Sequence, residues 1–366
     1  MEFIPLARPD ITEKDIDAVA QVLRSGMLIQ GVQVQALEQS FARYHQTKQA
    51  IAVSNGTATL HLALKVTGIG PGDEVIVPAL SYIATANVVE LTGATPVFVD
   101  IDPETYNIDT GKIEEKITAR TKAIIPVHEF GLACDIEKVC AIAEQYKLVV
   151  IEDAACALGA TQNGKPVGSF GSMGSFSLHP RKSITSGEGG VLVTNDEQLA
   201  VKLRQWRNHG IEMVNGQMHF VEAGFNYRLT DFQAALAQSQ FQRIPGILPY
   251  KQQLAAIYSA EIKNPKITLP VVPADRNHTW QTFHVLLDDT MDQQSVIQLL
   301  KEKNIGTNYG AQCIPAMEFY NNKYGEDAPA LYPHAYRAYR KGLALPLYER
   351  LTEQQVLYIA QTINQL

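Results

Sequence analysis

Tryptophan and cysteine are scarce in this chain, and long apolar runs and blocks of like charge are missing. Only 2 Trp and 4 Cys occur among 366 residues. The cysteines, Cys134, Cys140, Cys156 and Cys313, fall at scattered spacings that match neither a disulfide framework nor paired zinc knuckles. Reduced thiols and no metal centre are therefore expected. No stretch approaches the roughly eighteen uninterrupted apolar residues of a membrane helix, and the opening MEFIPLARPD lacks a basic-then-apolar leader pattern. A cytoplasmic chain without membrane contact is the expectation. Acidic and basic residues number 38 and 31, a formal charge of −7, and they are interspersed throughout. With no Lys/Arg run to track a phosphate backbone, nucleic acid is not an expected partner.

What is present is a large apolar fraction, 46% against 19% charged, typical of a globular protein with a substantial core. The length predicts a large domain with a smaller companion. Seven short apolar runs recur between residues 50 and 195: AIAVS, EVIVPAL, TPVFVDI, KAIIPVH, LVVIEDA, GSFSLH and GGVLVT. Amphipathic stretches such as ATLHLALKVTG and DIEKVCAIAEQYK separate most of them. Strands alternating with helices imply an α/β fold with a mainly parallel sheet covered on both faces. Helices starting near Thr12 and Gln35 should precede the sheet. Pro245, Gly246 and Pro249 break the pattern before the helical KQQLAAIYSAEIK, which sets the boundary between a large domain, 1–244, and a small α+β domain, 245–366.

In such a sheet, ligands bind at the carboxyl ends of the strands. Ser54-Asn55-Gly56-Thr57-Ala58 turns a strand into a helix through small residues, which suits a phosphate or is simply a helix cap. Glu152 and Asp153 end another strand; a buried carboxylate needs a cationic partner, either a protonated pyridine nitrogen or a structural ion pair. Lys182 follows the strand GSFSLH among hydroxyls and glycines, where desolvation is expected to lower its pKa toward that of a nucleophilic amine. Ser177 offers a hydroxyl for phosphate, while His179 and Arg181 are substrate-binding candidates or ordinary polar groups. GFNYRLTD, at Gly224 to Asp231, reads as a helix start.

Taken in order, SGMLIQG, VSNGTATLHLAL, EDAACALGA, SFSLHPRKSITSGEGG and GFNYRLTDFQAAL resemble the DegT/DnrJ/EryC1/StrS aminotransferases, fold-type I pyridoxal-phosphate enzymes, over nearly the whole chain. The resemblance implies that Lys182 carries the cofactor covalently and that Asp153 keeps its ring nitrogen protonated. It assigns the phosphate to the turn at Gly56, Thr57 and Ala58 and to Ser177. Tyr82 falls where the family lays an aromatic ring over the pyridine, with a buried core tyrosine as the rival. Asn226 matches an asparagine reaching the neighbouring subunit's phosphate, so a homodimer with shared active sites is implied. After the Asp-Ala-Ala run the family commonly has Gln or His, where this chain has Cys156, and Leu158 replaces a further His. The hydrogen bond to the cofactor's ring hydroxyl is then lost or rerouted. Asn308-Tyr309-Gly310 stands where a His-Tyr pair is frequent; Tyr309, Arg228 and Glu188 remain substrate-side candidates.

The implied reaction runs in two halves. L-glutamate leaves its nitrogen as pyridoxamine phosphate, which then aminates a nucleotide-linked keto-sugar in polysaccharide or O-antigen biosynthesis. Ser-Gly-Glu-Gly-Gly beside Lys182 is closer to the branch acting at a 4-keto carbon, in a 4-keto-6-deoxyhexose, than to the 3-keto branch, where Asp often replaces Glu188. A 3-keto aminotransferase and a non-catalytic, cofactor-binding regulatory protein are the alternatives. The related sugar 3-dehydratases carry histidine at the position of Lys182, and no G-x-G-x-x-G follows the early strand to support a dinucleotide site.

Overall fold

The structure is a computed structural model describing residues 2–366. Seven strands form the main sheet: β1 (Gln49–Val53), β2 (Glu74–Pro78), β3 (Thr95–Val99), β4 (Thr121–Ile124), β5 (Val149–Asp153), β6 (Met173–Ser177) and β7 (Gly190–Thr194). Their order is β1-β7-β6-β5-β4-β2-β3, and β7 alone runs against its neighbours. These are the seven runs read from the sequence. β2 and β7 are buried at every position, which explains why they read as unbroken apolar runs: helices cover both faces of the sheet.

On one face, α3 (Gly56–Val66) and α4 (Ala84–Thr92) pack Leu60, Leu64 and Val88 against Ile51, Val53 and Val77. On the other, α2 (Val32–Tyr44) and the helix Asp231–Phe241 pack Leu37, Phe41 and Ala234 against Phe176, Val191 and Val193. Asp231 joins these two helices: its carboxylate accepts the N–H groups of Gly31 (2.9 Å), Gln33 (3.1 Å) and Val34 (2.9 Å), closing the N-terminus of α2. Thr12 caps the first helix, Glu13–Ser25, through a reciprocal contact with Asp15, as expected.

The C-terminal part differs from the sequence expectation in two places. Pro245 and Gly246 do not interrupt the chain but begin a helix, Ile244–Glu261, that continues through Pro249. Pro245 sits in the first turn, where its missing N–H would have had no partner, so only Pro249 removes a helical bond. The segment from Tyr309 to Tyr332, which looks irregular in sequence, contains a short strand and two short helices. Gln312–Cys313 pairs with Leu80–Ser81, and Tyr320 and Tyr332 lay their rings against Phe98 of the main sheet. A second core gathers Leu254, Tyr258, Phe283, Leu345 and Ile359 around a three-stranded sheet, and Ile4 near the N-terminus joins it.

Candidate active site

Register fixes which residues share an edge of the main sheet. Val53 lies opposite Gly190, Gly190 opposite Ser177, and Asp153 two residues below, beside Ser175. The exits of β1, β5 and β6 and the entrance of β7 therefore converge. Glycine is required at two of these points. A Cβ on Gly190 would lie 2.6 Å from the Asn55 carbonyl oxygen, and one on Gly56 would lie 2.9 Å from Ser177 Cβ. The close approach brings the N-terminus of α3 onto the Ser177 hydroxyl. Asn55 caps that helix by accepting the Ala58 N–H (2.8 Å), so Gly56 and Thr57 present the N–H groups that remain for an anion.

Successive residues of a strand point to opposite faces, and this separates the two carboxylates that end β5. Glu152 is fully buried and surrounded by donors: the N–H groups of Gly168 (2.6 Å), Phe170 (2.8 Å) and Gly171 (2.8 Å), and His128 Nε2 (3.1 Å). His128 Nδ1 accepts the Cys134 N–H, so the ring proton sits on Nε2 and donates to Glu152. Asp153 has fewer partners, the Thr85 hydroxyl (2.9 Å) and the Ala155 N–H (3.2 Å). Burial raises its pKa above the ordinary aspartate value, and those two bonds together with Lys182 and His128 recover only part of the loss.

Lys182, in the loop between β6 and β7, is half-buried, and its amine donates to Cys156 Sγ (2.9 Å). The expected lowering of its pKa is not found in the cofactor-free chain. Burial does push the amine down, but Cys156, Asp153 and Glu129 outweigh it and hold the amine above the usual lysine range. The reason is the number of acidic groups gathered around one amine, which strand-by-strand reading does not reveal. Glu129, just beyond β4, is among them: it is 5% exposed, and burial together with the Asp153 charge pushes its carboxyl up to about 8.

The other candidates lie around this centre. Tyr82 is 67% exposed, which removes the buried-core reading; it sits one turn before Thr85, the residue bonded to Asp153. Arg228 pairs with Val53 at the exit of β1 and donates to Asn208 (2.6 Å), while Asn226 is exposed two residues away. His179 is half-buried, with burial lowering its pKa and Nδ1 accepting the Arg181 N–H (3.2 Å). The Arg181 and Glu188 side chains are exposed. Tyr309 packs edge-on against Tyr339, its hydroxyl accepts from Gln312 (3.0 Å), and the adjoining Gly310 lies against His284 and Phe130. Among the described residues, no cluster of three or more His, Cys, Asp or Glu side chains is arranged to hold a metal ion. Thr85 and Glu129 were missed in the sequence. Neither carries a local motif, and each becomes informative only through what it faces across the sheet edge.

The sequence model of the DegT/DnrJ/EryC1/StrS aminotransferase family matches residues 9–364. The chain belongs to this family. It is 37% identical to the GDP-perosamine synthase of Escherichia coli O157:H7, across 100% of this chain and 99% of the relative. It is 36% identical to the UDP-4-amino-4-deoxy-L-arabinose–oxoglutarate aminotransferase of Shewanella sediminis, across 100% and 98%. Spr1654 of Streptococcus pneumoniae, provisionally described as a sugar aminotransferase and solved in its pyridoxal-phosphate form, superposes with a TM-score of 0.94 at 30% identity, covering 99% of this chain and 98% of that one. Like its family, this aminotransferase depends on pyridoxal phosphate.

The residues at the sheet edge suit that cofactor. A phosphate needs unpaired N–H groups and a close backbone approach, and the glycine-lined start of α3 beside Ser177 offers both. A pyridine nitrogen that must stay protonated needs a buried acid with spare acceptor capacity, which describes Asp153 and not Glu152. An aldehyde needs an amine inside the same cleft, and Lys182 supplies one within electrostatic reach of Asp153.

Proposed function

We propose that this aminotransferase transfers an amino group from L-glutamate to a nucleotide-linked keto-sugar, at C4 of a 4-keto-6-deoxyhexose, as a homodimer with shared active sites. The observation that carries this reading is the convergence of an amine, Lys182, and an under-satisfied buried acid, Asp153, at one sheet edge. Bound pyridoxal phosphate supplies the electron sink that acidifies the substrate's Cα–H. Lys182 would hold the cofactor's aldehyde, and its amine, when free, would move the proton at the substrate's Cα. Asp153 holds the ring nitrogen in its protonated form. Gly56, Thr57 and Ser177 form the phosphate cradle, with Ala58 beside them but its N–H held by Asn55, and Tyr82 covers the ring. Asn226, exposed on its own subunit, serves the phosphate of the other.

Amination at C4 draws support from the Shewanella relative, whose name carries a 4-amino sugar and oxoglutarate, the keto acid left by glutamate. Glu188 beside Lys182 favours the same branch. The test is a panel of nucleotide-linked 3-keto and 4-keto sugars assayed with glutamate, the products read by mass spectrometry and NMR. Amination of a 4-keto sugar is expected; turnover restricted to 3-keto sugars overturns the assignment. Sedimentation should give a dimer, and a fully active monomer would remove the shared site.

A further inference from the structure

Glu129 has no part in the chemistry above, yet it is built into the centre of the site. Its turn is fixed from both sides. Asn107 accepts the Glu129 N–H (2.8 Å) and donates to the carbonyls of Leu132 and Ala133, while Thr282 and Thr279 bond the carbonyls of Phe130 and Gly131. The chain turns through positive φ at Phe130 (55°) and Gly131 (101°), a conformation unfavourable for phenylalanine and maintained by those bonds. This rigid frame holds a carboxyl group buried near Asp153, Cys156 and Lys182. Glu129 also lines a cavity of about 10 Å³, room for one water, together with Glu104, Tyr106, His278 and His284.

A purely structural buried acid is surrounded by donors, as Glu152 is with four. To Glu129 the fold offers the Phe130 N–H and no ion-pair partner within 4.0 Å among the described residues. Such a group is stable when neutral, and a neutral carboxyl is a hydrogen-bond donor. In the covalent adduct of Lys182 with pyridoxal phosphate, the ring hydroxyl oxygen lies beside the linked nitrogen. That oxygen would therefore come within reach of groups near Lys182 Nζ, Cys156 and Glu129 among them. Cys156, at the position where the family commonly carries Gln or His, brings only a weakly donating thiol.

Resting on the cofactor reading above, we propose that Glu129 donates the hydrogen bond to the cofactor's ring oxygen that Cys156 does not supply. A donor to this oxygen stabilises its negative charge and weakens its hold on the neighbouring imine proton. The pH midpoint of the bound cofactor's visible band is thereby lowered. Removing the donor in E129L raises that midpoint by about one pH unit, the scale of one hydrogen bond to a charged atom. E129Q, neutral and still a donor, keeps the wild-type midpoint to within a few tenths. With 3-deoxypyridoxal phosphate, which lacks the ring oxygen, E129L and wild type bind equally well. Should E129L not fold, E129D, which withdraws the carboxyl by one methylene, carries the same expectation. A midpoint unmoved in E129L, or moved as far in E129Q, overturns the proposal alone. A wild type that stays colourless in excess cofactor removes the functional reading and this proposal together.

Discussion

Two carboxylates one residue apart have opposite surroundings. Glu152 points to one face of the sheet, where three backbone N–H groups and His128 satisfy it. Asp153 points to the other, where one hydroxyl and one N–H leave acceptor capacity unused and burial holds its pKa high. The fold has completed the first site and left the second to be completed by something it does not contain. A complete buried network specifies structure, whereas an incomplete one is costly to the fold and points to a ligand.

Lys182→Ala gives the largest break on the Asp153 side. The visible band and all turnover should vanish while the far-ultraviolet circular dichroism is unchanged; a variant that still turns over removes Lys182 from the mechanism. Asp153→Asn comes next: cofactor stays bound and turnover falls by about 10²–10³-fold, the usual loss when a well-placed electrostatic partner is removed. Its effect on stability separates the two acids. An acid whose folded pKa is raised destabilises the fold once the pH exceeds its unfolded value, here 3.8. The cofactor-free Asn variant should therefore be at least as stable as wild type at pH 7.

Glu152→Ala should behave in the opposite way. Removing its carboxylate leaves three N–H groups and His128 without their acceptor inside the protein, a loss of about 3 kcal/mol. A fall in the urea midpoint, with normal band position in whatever folded fraction remains, is the expected result. Equal stability losses at positions 152 and 153 would erase the contrast.

Much of this arrangement was legible beforehand, for identifiable reasons. The seven strands stood out because burial on both faces makes those such as β2 and β7 nearly unbroken apolar runs, and Lys182 and Asp153 stood out because strand ends are where such sheets bind ligands. The opposite roles of Glu152 and Asp153 were hidden because the sequence places both at one strand end, and only strand alternation together with the donors from 168–171 distinguishes them. Glu129 and Thr85 were hidden for a related reason: their significance lies in contacts to β5 from separate segments. The packing of Tyr320 and Tyr332 onto Phe98 was illegible because helices of seven and four residues carry too few positions for a periodic pattern.

Lys251 provides the finest probe of what incompleteness costs. It lies on the Ile244–Glu261 helix, 2% exposed, and its amine donates to Ser183, the residue after Lys182 (3.2 Å). The acid acting on it, Glu349, is itself held above its usual pKa by burial and forms no ion pair with it among the described residues. Burial accordingly pulls the Lys251 amine from 10.5 down to about 8. A lysine whose folded pKa is depressed destabilises the fold fully below that folded value, and the penalty fades as the pH approaches the unfolded one. Lys251→Met, similar in length and free of the charge, should stabilise the cofactor-free protein by about 1 kcal/mol at pH 7. The gain should shrink between pH 8 and 10.5. Thermal melts across that range provide the measurement. A variant less stable than wild type at every pH would show that the Ser183 contact outweighs the buried charge, placing Lys251 with Glu152 among the completed sites.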